Sequence, residues 1–193
     1  SNSIVDNTNQ IKNMLKVINV DKIRSSGRNL EVGCVSLNSG KYRLFNQNHN
    51  DLFKAIIAST AIPIIFPSQE IDFELWIDGG VRNITPCVEN LPFADRYDII
   101  ACNSNNINTW NKPPQLINMA IRTIDIMTHE IAQNDFQGLI PKIKEINNNA
   151  IIHLYRPPNQ LESDSTVFDI NITKELINMG YNQTKNSENI VIY

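Results

Sequence analysis

The chain has 193 residues, 41% of them hydrophobic and 19% charged, with a formal net charge of −3. That length suits one domain, and the slight acidity, with no basic cluster, removes the electrostatic reason to expect nucleic acid as a partner. No apolar run approaches the roughly 20 residues that cross a bilayer, so any membrane contact is expected to be peripheral.

The opening Ser-Asn-Ser-Ile-Val-Asp lacks the basic region and apolar core of a signal peptide and reads as an internal start. Ile11, Met14, Leu15 and Ile18 predict a short amphipathic helix, and Asp21 is a candidate cap for a further turn reaching Arg24. Leu30, Val32 and Cys34 alternate as a strand, and Asn38-Ser39-Gly40 turns the chain into a second strand with Tyr42 and Leu44. Asp51 then caps a helix carrying Leu52, Phe53, Ile56 and Ile57 on one face. Pro63 pushes Ile62 out of helical geometry and ends it near Thr60. Ala55, Ala58, Ser59 and Ala61 crowd the end of this helix and allow a close approach to a neighbour.

Ile71, Phe73, Leu75 and Ile77 alternate with Asp72, Glu74 and Trp76, the period of a strand with one buried face. This strand delivers Asp78 to its end, and Gly79 and Gly80 follow at once, allowing a sharp turn and close backbone contact. Asp-Gly is also an ordinary turn dipeptide, so the sequence permits a purely structural Asp78. Asn83 and Thr85 are placed to donate hydrogen bonds to the Asp78 carboxylate. Arg82 and Asn83 are expected to fix this loop, with substrate contact as the other role. Trp76 is read as lining a cleft or covering the sheet edge, and the run from Ile62 to Phe66 as core or as an acyl-chain contact.

Tyr97 to Cys102 predicts a strand buried on both faces at its end. From Pro114 to about Phe136, Leu116, Met119, Ala120, Thr123, Ile124, Met127 and Ile131 recur at three and four, a long helix with one core face. A second helix is expected from near Pro141, then a strand from Ala150 to Tyr155, then a helix from Thr173 to Met179 closed by Gly180. Strands and helices mixed in this way predict an α/β class.

Cys34, Cys87 and Cys102 form neither a zinc pattern nor a disulfide framework and read as buried free thiols in a reducing compartment, which points to the cytoplasm. A secreted effector is the other setting. His49, His129 and His153 have no second ligand at metal spacing and are read as structural or solvated, so neither metal nor cofactor is expected. Ser59 lacks the flanking glycines that expose a nucleophile and is read as a local packing residue.

Two runs carry a resemblance: Ala58-Ser59-Thr60-Ala61-Ile62-Pro63-Ile64-Ile65-Phe66-Pro67, and Asp78-Gly79-Gly80 followed by Pro86. They resemble the second half of the patatin-like phospholipases, which carries Ala-Ser-x-Ala-x-Pro-x-x-Phe-Pro and then an Asp-Gly-Gly turn, a short loop and a proline. More loosely the likeness extends from about Asp6 to about Gly180. It implies a three-layer α/β sandwich and a lipid or ester acyl hydrolase working through a Ser-Asp dyad, with Asp78 as the dyad aspartate and Gly79, Gly80 and Asn83 as its supporting loop. An exposed aspartate, with pKa near about 3.9, is a feeble base, so the site is expected to desolvate Asp78 and raise that value.

No Gly-x-Ser-x-Gly occurs among the seven glycines, and the family's Gly-rich oxyanion loop has no counterpart. Residues 1–193 are therefore read as the carboxyl-terminal part of one patatin-like domain, whose upstream half supplies the nucleophile. The competing expectation is a non-catalytic remnant that binds lipid or protein.

Overall fold

The computed structural model describes residues 3, 6–85, 91–107, 109–157, 169–185 and 190–192. The fold is mixed α/β, and the chain divides into two compact units, Ser1–Pro86 and Cys87–Tyr193.

The first unit begins with helices α1 (Thr8–Val17) and α2 (Val20–Ser25). Asn19 rather than Asp21 caps α2, its side chain accepting the Lys22 N–H at 2.9 Å, while Asp21 lies in the first turn. Strands β1 (Glu31–Ser36) and β2 (Tyr42–Asn46) form the expected antiparallel hairpin, with Gly40 supplying the positive φ of 68° at its tip. Helix α3 (Leu52–Ala58) follows, with Asp51 at its N-cap position.

The run from Gln69 to Asp78 corrects the sequence reading. It is two strands, β3 (Gln69–Ile71) and β4 (Glu74–Asp78), paired antiparallel so that Ile71 faces Glu74. Asp72 and Phe73 make the two-residue turn, both with positive φ, 52° and 64°, as a hairpin with this tight connection requires. Strict alternation cannot survive that turn. Phe73, expected inside, is 97% exposed at the tip, and Trp76, assigned to the polar face, is buried. Trp76 belongs to the core: its indole packs edge-on to Phe45 at 5.0 Å, and its Nε1–H donates to the Ile71 carbonyl at 3.0 Å.

The sheet order is β2-β1-β4-β3, all antiparallel. Cys34, Phe45, Ile71 and Trp76 project from it onto Ala55 and Ala58 of α3. Side chains of the size of Phe45 and Trp76 each contribute roughly 1.5–3 kcal/mol on full burial, which outweighs the exposure of Phe73. After α3, Ile64 stands at φ 73°, an uncommon conformation for a β-branched residue. Such strain costs about 1–3 kcal/mol, and the burial of Ile65 and Phe66 just beyond it offsets that amount. This favours the core reading of the run.

The second unit holds β5 (Arg96–Ile100), α4 (Leu116–Ile146), β6 (Ile151–Tyr155), α5 (Ile170–Lys185) and β7 (Ile190–Ile192). Strands β5 and β6 are parallel, joined through α4, and β7 adds antiparallel to β6. One helix replaces the two expected, because α4 continues through Pro141. A proline in a helix removes one hydrogen bond and crowds the carbonyl four residues back. Here the burial of Leu139 and Ile143 on either side, packed on Ala150 and Ile152, holds the helix together.

At 31 residues α4 is about 46 Å long, against about 17 Å for a five-residue strand. Only its later half therefore meets the sheet, burying Ala132, Phe136, Leu139 and Ile143. Leu116, Met119 and Met127, expected on a core face, are exposed. Strand β5 is likewise not buried on both faces: Tyr97 and Ile99 pack toward the α4 cluster, whereas Arg96, Asp98 and Ile100 face outward, Ile100 being 80% exposed. Gly180 lies within α5 rather than closing it, and the start of that helix is capped by Asp169, whose carboxylate accepts the Asn171 and Ile172 amides. Among the described residues no helix is long and apolar enough to cross a membrane.

Candidate active site

Asp78 stands at the end of β4, on a central strand of its sheet, as the alternation toward it suggested. Its cross-strand partner is Cys34 of β1. Its backbone N–H donates to the Ala61 carbonyl at 3.2 Å. The two runs that carried the resemblance therefore meet in space, and the small residues after α3 make the approach possible: Ala58 and Ala61 are buried.

Beyond Asp78 the chain makes a single 3₁₀ turn, Gly79–Val81. This turn brings the Gly80 N–H back to Asp78 Oδ1 at 2.8 Å. The Gly79 carbonyl accepts both the Arg82 N–H at 3.0 Å and the Asn83 N–H at 2.9 Å, and Arg82 Nη1 donates to the Gly40 carbonyl at the tip of the β1–β2 hairpin. Arg82 thus ties this loop to the β1–β2 hairpin. The donor to the carboxylate, however, is the Gly80 amide, where the sequence suggested Asn83 and Thr85. Asn83 takes part through its backbone, and its Oδ1 is buried without a hydrogen-bond partner among the described residues.

Burial pushes the Asp78 carboxyl above its ordinary value, and the Gly80 hydrogen bond pulls part of the way back. The same environment affects Cys34. Burial first, and then the negative charge of Asp78, push its thiol up to about 12, so it stays a neutral, inert thiol whose Sγ donates to the Ala55 carbonyl at 3.4 Å. Cys34 is the buried thiol expected of it; Cys102 is exposed, and Cys87 lies outside the described residues.

Gly79 has a stringent reason to be glycine. A Cβ there would lie 2.6 Å from both the carbonyl carbon and oxygen of Gly33. At Gly80 the nearest neighbour would be Asp78 Oδ1 at 3.2 Å, so the requirement is milder. Pro86 lies outside the described residues.

Ser59 caps the end of α3, its N–H donating to the Ala55 carbonyl, in keeping with a local role. His49 shares Asp72 with Arg43: its Nε2 is 3.3 Å and the Arg43 guanidinium 2.8 Å from the same carboxylate oxygen. His129 Nε2 lies 3.4 Å from Gln133 Nε2 one helical turn on.

His153 belongs to a polar group that the sequence reading missed. On the outer face of β5 and β6, Asp98 accepts Arg96 Nη2 at 2.8 Å and the Tyr155 hydroxyl at 3.1 Å, with His153 Nδ1 at 3.2 Å. The signal was present as two i, i+2 pairs on neighbouring strands, Arg96 with Asp98 and His153 with Tyr155, but only the parallel register sets Asp98 opposite His153. No group of His, Cys, Asp and Glu able to hold a metal ion occurs among the described residues.

A sequence model of the patatin-like phospholipase family matches residues 16–91, so this part of the chain is similar to a family of lipid acyl hydrolases. The match takes in both runs that meet at Ala61 and Asp78. It lies in the amino-terminal half of this chain and is narrower than the stretch from Asp6 to Gly180 over which a looser likeness was read. No curated protein sequence matches the chain.

Proposed function

We propose that this chain carries the later part of a patatin-like acyl-hydrolase domain, of which residues 16–91 bear the family likeness, and that Asp78 is the general base of its Ser-Asp dyad. The observation that carries this reading is a carboxylate at the end of a central strand whose burial raises its proton affinity while one backbone amide aims it. A raised pKa brings a carboxylate closer to the strength a base needs near neutral pH. The serine and the donors for the developing oxyanion come from residues upstream of this stretch, since no Gly-x-Ser-x-Gly occurs within it.

In the acylation step the serine Oγ attacks the carbonyl carbon of a lipid ester while its proton passes to Asp78. The tetrahedral alkoxide then collapses, the bond to the leaving alcohol oxygen breaks, and Asp78 returns the proton to that oxygen. Water repeats the sequence on the acyl-enzyme with Asp78 again as base. Desolvation has a second role here, because it strengthens each charge interaction inside the site. Contact with the bilayer that holds the substrate is peripheral, and the unpaired thiols of Cys34 and Cys102 suit a reducing compartment such as the cytoplasm.

The test is Asp78→Asn in the protein that includes its upstream serine, assayed on short-chain esters and on phospholipid vesicles. The amide keeps an acceptor for the Gly80 N–H but cannot take a proton, so hydrolysis should fall by about 10²- to 10⁴-fold with the fold intact. Hydrolysis at the wild-type rate would overturn the assignment and leave a lipid- or protein-binding role in its place.

A further inference from the structure

The sharpest packing constraint near Asp78 lies behind its turn, on the opposite face of the sheet from its side chain. Cys34 and Asp78 are the last register partners of β1 and β4, and just beyond them the Gly79 turn lies against the Gly33 backbone, where a Cβ on Gly79 would sit 2.6 Å from the Gly33 carbonyl. Strand alternation turns the missing side chain of Gly33 to the face opposite Cys34, the face that also carries Tyr42. One ring fills the space the two glycines leave. A Cβ on Gly33 would overlap the Tyr42 hydroxyl and lie 2.9 Å from its Cζ, and a Cβ on Gly79 would lie 3.0 Å from Tyr42 Cε2. Tyr42 begins β2 and pairs with Val35, so its ring reaches across β1 to the end of β4.

We infer that Tyr42 is a positioning residue for Asp78: its ring backs the Gly79 turn and so holds the Gly80 amide on the carboxylate. The ring does not touch the carboxylate. It acts on the turn that aims it, since Gly79 connects Asp78 to the Gly80 amide that donates to it. The contact requires glycine at both positions and an aromatic ring at the third, which gives three sequence-distant residues one shared physical reason. A loose turn would let the carboxylate swing, and an error of about 1 Å in a catalytic group can cost about 100-fold in rate. This catalytic consequence rests on the reading of Asp78 as the base; the clamp itself does not.

The experiment follows the Gly80 amide by NMR in the intact protein, reading its pH-dependent shift, which reports Asp78 ionisation through the hydrogen bond, and its hydrogen exchange relative to the α3 amides of Ala55 and Ser59. Tyr42→Ala should speed Gly80 exchange by about tenfold or more relative to those amides and erase most of its pH-dependent shift, and Tyr42→Phe should restore both. Gly33→Ala provides a second route that spares Tyr42 itself. All three nearest atoms to the new methyl belong to the Tyr42 side chain, so the substitution should disturb Gly80 when the ring is present and add nothing in a Tyr42→Ala background.

If Tyr42→Ala does not fold, Tyr42→Leu with and without Gly33→Ala makes the same comparison. An unchanged Gly80 amide in the folded variants, or an equal penalty for Gly33→Ala with and without the ring, would overturn the clamp. In the hydrolase, Tyr42→Ala should lower kcat and leave KM nearly unchanged. Loss of the Gly80 response together with an active Asp78→Asn protein would keep the clamp and discard Asp78 as base.

Discussion

Two strand aspartates, one in each unit, face opposite electrostatic fates. Asp78 is largely buried, receives one backbone amide, and has its pKa raised by desolvation. Asp98 lies on an open sheet face, where the Arg96 guanidinium, helped by Tyr155 and His153, holds its carboxyl below the usual range against the opposing effect of desolvation. A carboxylate so well supplied with donors is a poor proton acceptor, whereas a desolvated one with a single donor is a better one. The comparison teaches that burial and the supply of charged or polar donors, more than position at a strand, separate a candidate base from a structural anion.

The largest expected difference between the two is catalytic. Where Asp78→Asn should remove about 10²- to 10⁴-fold of hydrolysis, Asp98→Asn should leave it within about twofold, measured side by side on the same ester. Equal losses would erase the distinction.

Next comes stability at the turn. Gly79→Ala sets a methyl against the Gly33 backbone, which cannot yield as a side chain can, and should cost about 1–3 kcal/mol in denaturant unfolding. Gly80→Ala meets only ordinary or slightly tight contacts with Asp78 and Ile84 and should cost less than Gly79→Ala. The reverse order would mean that the turn is held by something other than the Gly33–Gly79 approach.

The pH dependence of stability sharpens the contrast through its sign. Because the folded-state pKa of Asp78 is raised, its protonated form favours the fold: that advantage is full below the unfolded value and is lost as pH rises through the folded one. Wild type should therefore lose stability relative to Asp78→Asn as pH climbs from the ordinary carboxylate range. Asp98 behaves oppositely. Its contribution is present above the unfolded value and disappears as pH falls through the depressed folded one, so the gap to Asp98→Asn should close in acid. Denaturant melts across pH 2–8 read both slopes.

The smallest effect belongs to the exposed pair itself. Arg96→Ala should lower stability only slightly, and less at high salt, because the Arg96–Asp98 contact lies at the surface.

Much of this was legible in the residues. Alternation and turn chemistry located the β1–β2 hairpin and the strand at 151–155, and the small residues at Ala58 and Ala61 announced a close approach before its partner was known. The Asp-Gly-Gly turn was readable because its backbone demands are local. Other features misled. Phe73 has the chemistry of a core residue but sits at a hairpin tip, because the hydrophobic pattern of two short strands with a two-residue turn can imitate one long strand. Pro141 looked like a helix start, since only burial of Leu139 and Ile143 outweighs its local cost.

The sequence by itself determined the α/β class, the position of Asp78 at a strand end, and the pair of runs that liken residues 16–91 to the patatin-like phospholipases. Those are properties of neighbours along the chain. Only the tertiary structure decided that Ala61 receives the Asp78 amide, that Gly33 stands against Gly79 beneath the Tyr42 ring, and that Asp98 meets His153 across parallel strands. Each depends on strand register, and register is settled by which faces the two sheets bury, a choice made by the whole unit at once.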